Sequence, residues 1–329
     1  MRAVVITDTS NRGVSIREVA DPLPGDTEVL IEVKACGVNF TDLLSLDGKY
    51  QNNPDPPFTP GKDAAGIVSA VGNDVTSHKA GDRVIAHVIH GAMATKAVCP
   101  ATLAFPLPDS VKFETAAAMG LAYLTGYLAL SRRGQLKAGD AVLINGASGG
   151  VGLASVSLAK ALGAGTVLAG LTTPSKAGRV IEAGADAVID LSVEDLKSNL
   201  RQQVMTATNR RGIDLVFDLV GGEVFDATLR VIANEGRAVV SGFTSGTIPA
   251  VRTNYLLLKN IAVVGSTINY YIKQGSPLVG EAQSALFELL DAGKIDPNIM
   301  VRLPFEKYMD GIKLLEDRKI IGKAVLLMD

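Results

Sequence analysis

The residues with the clearest chemical meaning form the run Asn145-Gly146-Ala147-Ser148-Gly149-Gly150-Val151-Gly152. A short apolar run, AVLIN at 141–145, precedes it. Apolar residues at helical spacing follow it, at Val151, Ala154, Leu158, Ala161 and Leu162. A strand that ends in glycines and reopens as a helix is the context a dinucleotide fingerprint requires. Ala147 stands at the first glycine of G-x-G-x-x-G. Gly149 lets the backbone approach a pyrophosphate, and Gly152 lets helix and strand pack closely. The free N–H groups and positive dipole end of the helix favour phosphate. Gly146, Ala147, Ser148, Gly149, Gly150, Val151 and Gly152 are therefore the expected cofactor contacts.

A site for NAD usually places Asp or Glu about 20 residues beyond the glycines, on the ribose hydroxyls. Here that position follows the apolar run 166–171 and carries Thr172 and Thr173, then Ser175, Lys176 and Arg179. No carboxylate repels a 2′-phosphate, and hydroxyls and two cations can receive one. The reading is NADPH. Gly242 and Phe243, after the apolar run 237–241, complete the expected cofactor set.

The remaining reactive residue types suggest less. Cys36 and Cys99 are the two cysteines, without a short-spaced partner, which fits a reducing compartment rather than a disulfide framework. His78, His87 and His90 have no Cys or carboxylate at ligand spacing, so no metal site is expected. Charged residues make up 20% of the 329, and the net charge of -2 leaves no basic footprint for nucleic acid. The N-terminal residues do not read as a signal peptide. No apolar stretch approaches the ~20 residues of a membrane span. A soluble, cytoplasmic protein is expected.

Two patterns must position these residues. Short apolar runs at 3–7, 28–35, 66–71 and 83–88, with Gly and Pro punctuation, predict a barrel-like β unit. From about residue 120, strands at 141–145, 166–171, 187–191, 213–219, 237–241 and 261–265 alternate with helices at 150–162, 175–183, 195–208 and 225–233. That alternation predicts an α/β, doubly wound parallel six-stranded sheet buried on both faces. A polar segment follows Thr267, then helices at 280–292 and 306–316 and a last strand at 323–328.

With these residues in view, the chain resembles the zinc-independent quinone oxidoreductases of the medium-chain dehydrogenase/reductase superfamily. The resemblance runs over nearly the whole length. It rests on GVNFTDLL with Gly48-Lys49-Tyr50, PGKDAAGIVSAVG, AGDRV, NGASGGVGLASVSLAKALGA, FDLVGG and IIGKAVLL. It implies a GroES-like catalytic domain at 1–120 completed by 268–329, and a Rossmann NADPH-binding domain at 121–267. It also implies an active-site cleft between them and a homodimer. Carried over by position, Asn39, Asp42 and Tyr50 line the substrate pocket, Lys176 holds the 2′-phosphate, and Arg318 assists it. Leu191 departs from the family, since many relatives carry tyrosine there. Zinc alcohol dehydrogenases of the same superfamily show C-G-V-C-x-T-D and G-H-E, where this chain has Asn39 and Lys62. A structural zinc lobe needs four close cysteines.

Without a Lewis acid, alcohol oxidation loses its means of lowering the alkoxide pKa. Quinones and α,β-unsaturated carbonyls accept hydride without one. The expected enzyme is an NADPH:quinone oxidoreductase-like reductase acting on a small-molecule quinone or enone. Asn39 and Tyr50 are expected to stabilise or protonate the acceptor oxygen, and Lys62 to supply positive charge. The competing expectation for Lys62 is a solvated salt bridge with Asp63 or another carboxylate. The competing expectation for Asp42 is bonding to backbone N–H groups near a helix start. Alternative functions are an enoyl- or haloacrylate-type double-bond reductase, and a non-catalytic NADPH-binding protein of sensor or crystallin-like type.

Overall fold

The computed structural model describes residues 1–328. The chain divides into two compact units. Unit 1 comprises Met1–Ala122, Ile272–Phe287 and Pro297–Asp329, and unit 2 comprises Tyr123–Tyr271 and Glu288–Asp296.

Unit 1 is built on strands numbered in chain order: β1 (Arg2–Asp8), β2 (Gly13–Glu18), β3 (Glu28–Val38), β4 (Asp63–Val71), β5 (Arg83–His87), β6 (Lys96–Pro100) and β7 (Ala104–Pro106), with β14 (Ile299–Pro304) and β15 (Lys323–Leu327) near the end of the chain. The seven-stranded sheet runs β14-β15-β3-β4-β5-β7, with β6 also on β3. β3 is its spine: β-branched residues line it, and Val29, Ile31, Val33, Ala35, Cys36 and Val38 are buried. β-branched side chains suit the crowded pleat of such a strand. Helix α1 (Phe40–Leu46) leaves the end of β3 directly after Asn39, and Leu43 and Leu46 join its core. Helix α2 (Phe113–Tyr127) is kinked at Gly120, whose φ of -3° and ψ of -127° are not helical.

Unit 2 holds β8 (Ala141–Asn145), β9 (Thr166–Leu171), β10 (Ala187–Asp190), β11 (Ile213–Asp218), β12 (Ile232–Val240) and β13 (Ala262–Gly265) in one six-stranded sheet. All its pairings are parallel, in the order β10-β9-β8-β11-β12-β13. Every residue of β8 is buried, as expected of a strand covered on both faces. The connecting helices are α3 (Gly150–Ala161), α4 (Ala177–Glu182), α5 (Leu196–Ala207), α6 (Gly222–Thr228) and α7 (Thr253–Lys259). The doubly wound sheet and the separate β unit are those the residue pattern predicts.

Five local expectations change. The helix expected at 225–233 is α6, at Gly222–Thr228, because Gly221 and Gly222 take positive φ (74° and 54°) and turn the chain early. β12 then begins at Ile232, where Ile232 faces Ile213 before a register shift. The polar segment after Thr267 contains helix α8 (Ile268–Lys273). The expected helix at 280–292 is α9 (Leu278–Asp291), and that at 306–316 is α10 (Tyr308–Glu316), which a 3₁₀ turn at Phe305–Lys307 precedes.

Candidate functional site

In unit 2 the glycine run lies at the carboxyl end of β8, where the strand order reverses between β9 and β11. In open parallel sheets that switch point is where ligands bind. Gly146 has φ 79°, and its N–H and that of Ala147 donate to Gly170 O at 3.0 and 3.1 Å. Gly152 is sterically required: a Cβ there would lie 2.1 Å from Gly146 O. Gly149 caps α3 in extended conformation and lends it no side-chain bond. The first-turn N–H groups of α3 thus lack intrahelical acceptors beside a bare backbone, which suits a pyrophosphate.

The other residues expected to hold cofactor follow the carboxyl ends of neighbouring strands. Thr172 is exposed directly after β9, and Lys176 is half-buried in the turn Pro174–Lys176. Burial lowers the Lys176 pKa. Gly242 and Phe243 follow β12, and a Cβ on Gly221 would touch the Phe243 ring at 2.9 Å. Ser148, Gly150 and Val151 are half-buried in the loop and first helical turn. Arg179, the second cation after β9, pairs with Glu182 Oε2 at 2.7 Å, one helical turn away. Leu191 is buried in the core, and its Cδ1 is 2.9 Å from where a Gly170 Cβ would stand, so it faces the sheet interior. Arg318 belongs to unit 1, in left-handed conformation (φ 54°) after α10.

In unit 1 the residues expected to act on substrate gather around the start of β4. Lys62 is 6% exposed, with its Nζ 4.5 Å from the Tyr50 ring centroid. A cation over a ring face at that distance is a favourable contact. Nζ also donates to Ile89 O. His90, next along, has its pKa lowered by burial and by the Lys62 charge. The expectation of a solvated Lys62–Asp63 salt bridge is therefore corrected. Lys62 is buried against an aromatic ring, and Asp63 pairs elsewhere.

Asn39 also requires correction as an oxyanion donor. Its Nδ2 donates to Asp63 Oδ2 at 2.8 Å and to Gly37 O at 3.2 Å, so both amide hydrogens are committed. Its Oδ1 accepts from Lys323 Nζ at 2.7 Å. Asp42 accepts the Asn39 N–H at 2.8 Å and the Gly61 N–H at 3.1 Å, the backbone role expected of it near a helix start. Burial raises the Asp42 pKa to about 6, against bonds and cations that lower it. Lys323 and Gln283 escape the sequence reading, and His87 enters it only as a rejected metal ligand. His87 Nε2 lies 3.0 Å from Gln283 Oε1, and the pair is 196 residues apart in the chain, so no local pattern reveals it.

The donors around Asn39 and Lys62 do not fit zinc. Asn39 Oδ1 already accepts from the Lys323 ammonium, an amide oxygen is a poor zinc ligand, and Lys62 is cationic. Cys36 is fully buried, with burial raising its thiol pKa and its Sγ directed to Gly37 O at 3.7 Å. His87 is tied to Gln283, and His78 contacts Ser77 and Ala104 O. Among the described residues no group of three or more His, Cys, Asp or Glu is arranged to hold a metal ion.

Comparison with known proteins agrees with this architecture. Residues 25–109 match the profile of the alcohol dehydrogenase GroES-like domain, and residues 150–282 that of the zinc-binding dehydrogenases. The chain is 34% identical over 325 residues to quinone oxidoreductase-like protein 2 of Mus musculus, covering 99% of this chain and 91% of the relative. It is 32% identical to the synaptic vesicle membrane protein VAT-1 homolog of Homo sapiens, covering 94% and 81%. Among solved structures, the Escherichia coli quinone oxidoreductase complexed with NADPH superposes with TM-score 0.90 at 30% identity, covering 99% of this chain and all of that one. Together these place the chain in the quinone oxidoreductase-like family of the medium-chain dehydrogenase/reductase superfamily.

Proposed function

We propose that the protein is an NADPH-dependent reductase that transfers hydride to a quinone or a similar α,β-unsaturated carbonyl, without zinc. The observation that carries this reading is the bare glycine loop of β8–α3 followed, after β9, by Lys176 with no carboxylate in the turn. Two relatives by structure, from E. coli and a mycobacterium, were solved with NADPH, which supports the same cofactor here. When bound, the cofactor supplies the hydride. The chain supplies the rest. The loop N–H groups hold the pyrophosphate, Lys176 pairs with the 2′-phosphate, and Gly242 and Phe243 shape the wall beside it. Lys62, with Tyr50 beneath it, faces the negative charge that develops on the acceptor oxygen. Tyr50 is the proposed proton donor.

The chain's lack of fit for zinc is part of the proposal, because an acceptor that is already electrophilic needs no Lewis acid. The molecule is proposed to be a homodimer. The edge strand β13 has one unpaired side, and Leu257 and Leu258 on the neighbouring α7 are 78% and 75% exposed. Such a row invites pairing. The two buried, unpaired thiols suit the cytoplasm. Among the described residues no helix is long and apolar enough to cross a membrane.

The test is a titration with NADPH and NADH followed by a panel of quinones and enones. Lys176→Ala should weaken NADPH by ~10- to 100-fold, the worth of a charge-assisted bond, while NADH is unaffected. Lys62→Met should lower kcat/KM for the acceptor by on the order of 100-fold. Binding of NADPH without turnover of any acceptor would favour the non-catalytic alternative. Turnover confined to enoyl substrates would move the protein to the double-bond reductases.

A further inference from the structure

We propose that Asp63 is a positioning residue for the acceptor side, because its buried carboxylate ties together the backbone that emits Lys62, the turn that carries Asn39, and the kink of α2. The proposal rests on the assignment of Lys62 to the acceptor.

Asp63 is fully buried, and its two oxygens are used by different segments. Oδ1 accepts the Leu121 N–H at 2.7 Å. Oδ2 accepts Asn39 Nδ2 at 2.8 Å and lies 3.7 Å from Lys323 Nζ. His87 Nδ1, which is buried and otherwise without a hydrogen-bond partner, lies 3.9 Å from Oδ1. The backbone is stripped to make room. A Cβ on Gly120 would stand 2.3 Å from Oδ1, and one on Gly37 would stand 3.0 Å from Oδ2 and 2.4 Å from Ala117 O. The kink at Gly120 interrupts the helix, and Asp63 takes up the Leu121 N–H beside the break.

A fully buried carboxylate is costly unless opposite charge and donors surround it. Lys323 supplies the charge and is itself held by Val38 O at 3.0 Å and Asn39 Oδ1 at 2.7 Å. A plain hydrophobic side chain would fill the space without joining residues 39, 63, 121 and 323. What this arrangement controls is the neighbouring residue. Asp63 opens β4 and Lys62 is the residue directly before it, so pinning the Asp63 carboxylate fixes the backbone from which Lys62 reaches over Tyr50. The same backbone is pinned by the Gly61 N–H on Asp42 and by the Val88 N–H on Lys62 O at 2.9 Å. Asp42 and Asp63 against Lys62 and Lys323 leave the group neutral in sum.

The experiment exchanges donor and acceptor. Asp63→Asn turns an amide NH₂ toward Asn39 Nδ2 and Lys323, donor against donor. Asn39→Asp sets carboxylate against carboxylate. The double variant Asn39→Asp/Asp63→Asn restores one donor, one acceptor and a carboxylate for Lys323. Lysine is labelled with ¹³C at Cε, the Lys62 signal is assigned by its loss in Lys62→Met, and its upfield ring-current shift reports the seat over Tyr50. Each single variant should move that signal toward the position of exposed lysines and lower acceptor kcat/KM roughly tenfold, with NADPH affinity unchanged. The double variant should recover both. Single variants that leave the signal in place, or a double variant that fails to restore it, overturn the proposal. Failure of the acceptor reading shows separately, as an upfield Lys62 signal in a protein that turns over no quinone or enone.

Discussion

Asp63 in unit 1 and Asp218 in unit 2 are both fully buried at strand ends, yet they are held in different ways. Burial raises the pKa of Asp63, but His87, Lys323 and Asn39 outweigh it and hold the carboxyl below its usual range. Asp218 has dipoles instead. Asn145 Nδ2 and the Gly221 N–H each bond it at 2.8 Å, burial prevails over them, and its pKa is raised. Opposite charge keeps a buried carboxylate ionised, whereas neutral donors only moderate its proton affinity. The first arrangement makes each partner indispensable to the other. The second tolerates loss of the charge.

The largest expected effect follows from the first arrangement. Lys323→Met leaves Asp63 buried without its cation and removes the donor on Asn39 Oδ1. Breaking such a pair from one side costs ~3–5 kcal/mol. Chemical unfolding at neutral pH should show this as a clear fall in stability. A loss below about 1 kcal/mol would mean that Asn39 and the Leu121 N–H suffice, and the contrast with Asp218 would disappear.

Asp42 sharpens the comparison through pH. Its carboxyl is raised from 3.8 to about 6, so between those values the folded chain binds a proton that the unfolded chain releases. Stability from this group therefore falls as pH rises from 4 to 6, by at most ~3 kcal/mol. Asp63 acts in the opposite sense: its lowered pKa contributes stability above the unfolded value that is lost as acid protonates it. The stability difference between wild type and Asp42→Ala should thus shift in favour of wild type as pH drops from 7 to 5. A difference that is flat with pH would place the Asp42 carboxyl in the ordinary range.

The same contrast explains what was legible in the sequence. The loop at 146–152, the strand at 166–171 and the alternation of unit 2 are local, because period and glycine placement are written in consecutive residues. β9 ends where the apolar run ends, at Leu171. The helix after β11 was misplaced because the positive φ of Gly222 is a backbone state, not a composition. In short β14 the apolar run stops after three residues, at Arg302, and no side chain is fully buried. In unit 1 the residue types at the candidate site were readable, but their partners were not. Asn39 and Lys323 are 284 positions apart, and Lys62 meets a ring rather than its neighbouring acid. Without those pairings, Asn39 reads as a free donor and Lys62 as a surface ion.

The smallest effect belongs to Asp218→Asn. The substitution keeps shape and one acceptor, removes the charge, and turns an NH₂ toward either the Gly221 N–H or Asn145 Nδ2. One hydrogen bond is lost at a buried site, worth ~1–3 kcal/mol. Turning the Asn145 amide over lets its unpartnered Oδ1 accept from the new NH₂ but breaks the Nδ2 donation to Thr228 Oγ1 at 3.1 Å, so the loss stays at about one hydrogen bond. Because the Asp218 proton affinity is raised, wild type gains stability toward acid that a non-titrating amide does not, and the variant should lose more at pH 5 than at pH 8. Unfolding measured at both values checks this. A loss as large as that of Lys323→Met, with no pH dependence, would show that Asp218 needs its charge as much as Asp63 does, and that donors alone hold it ionised.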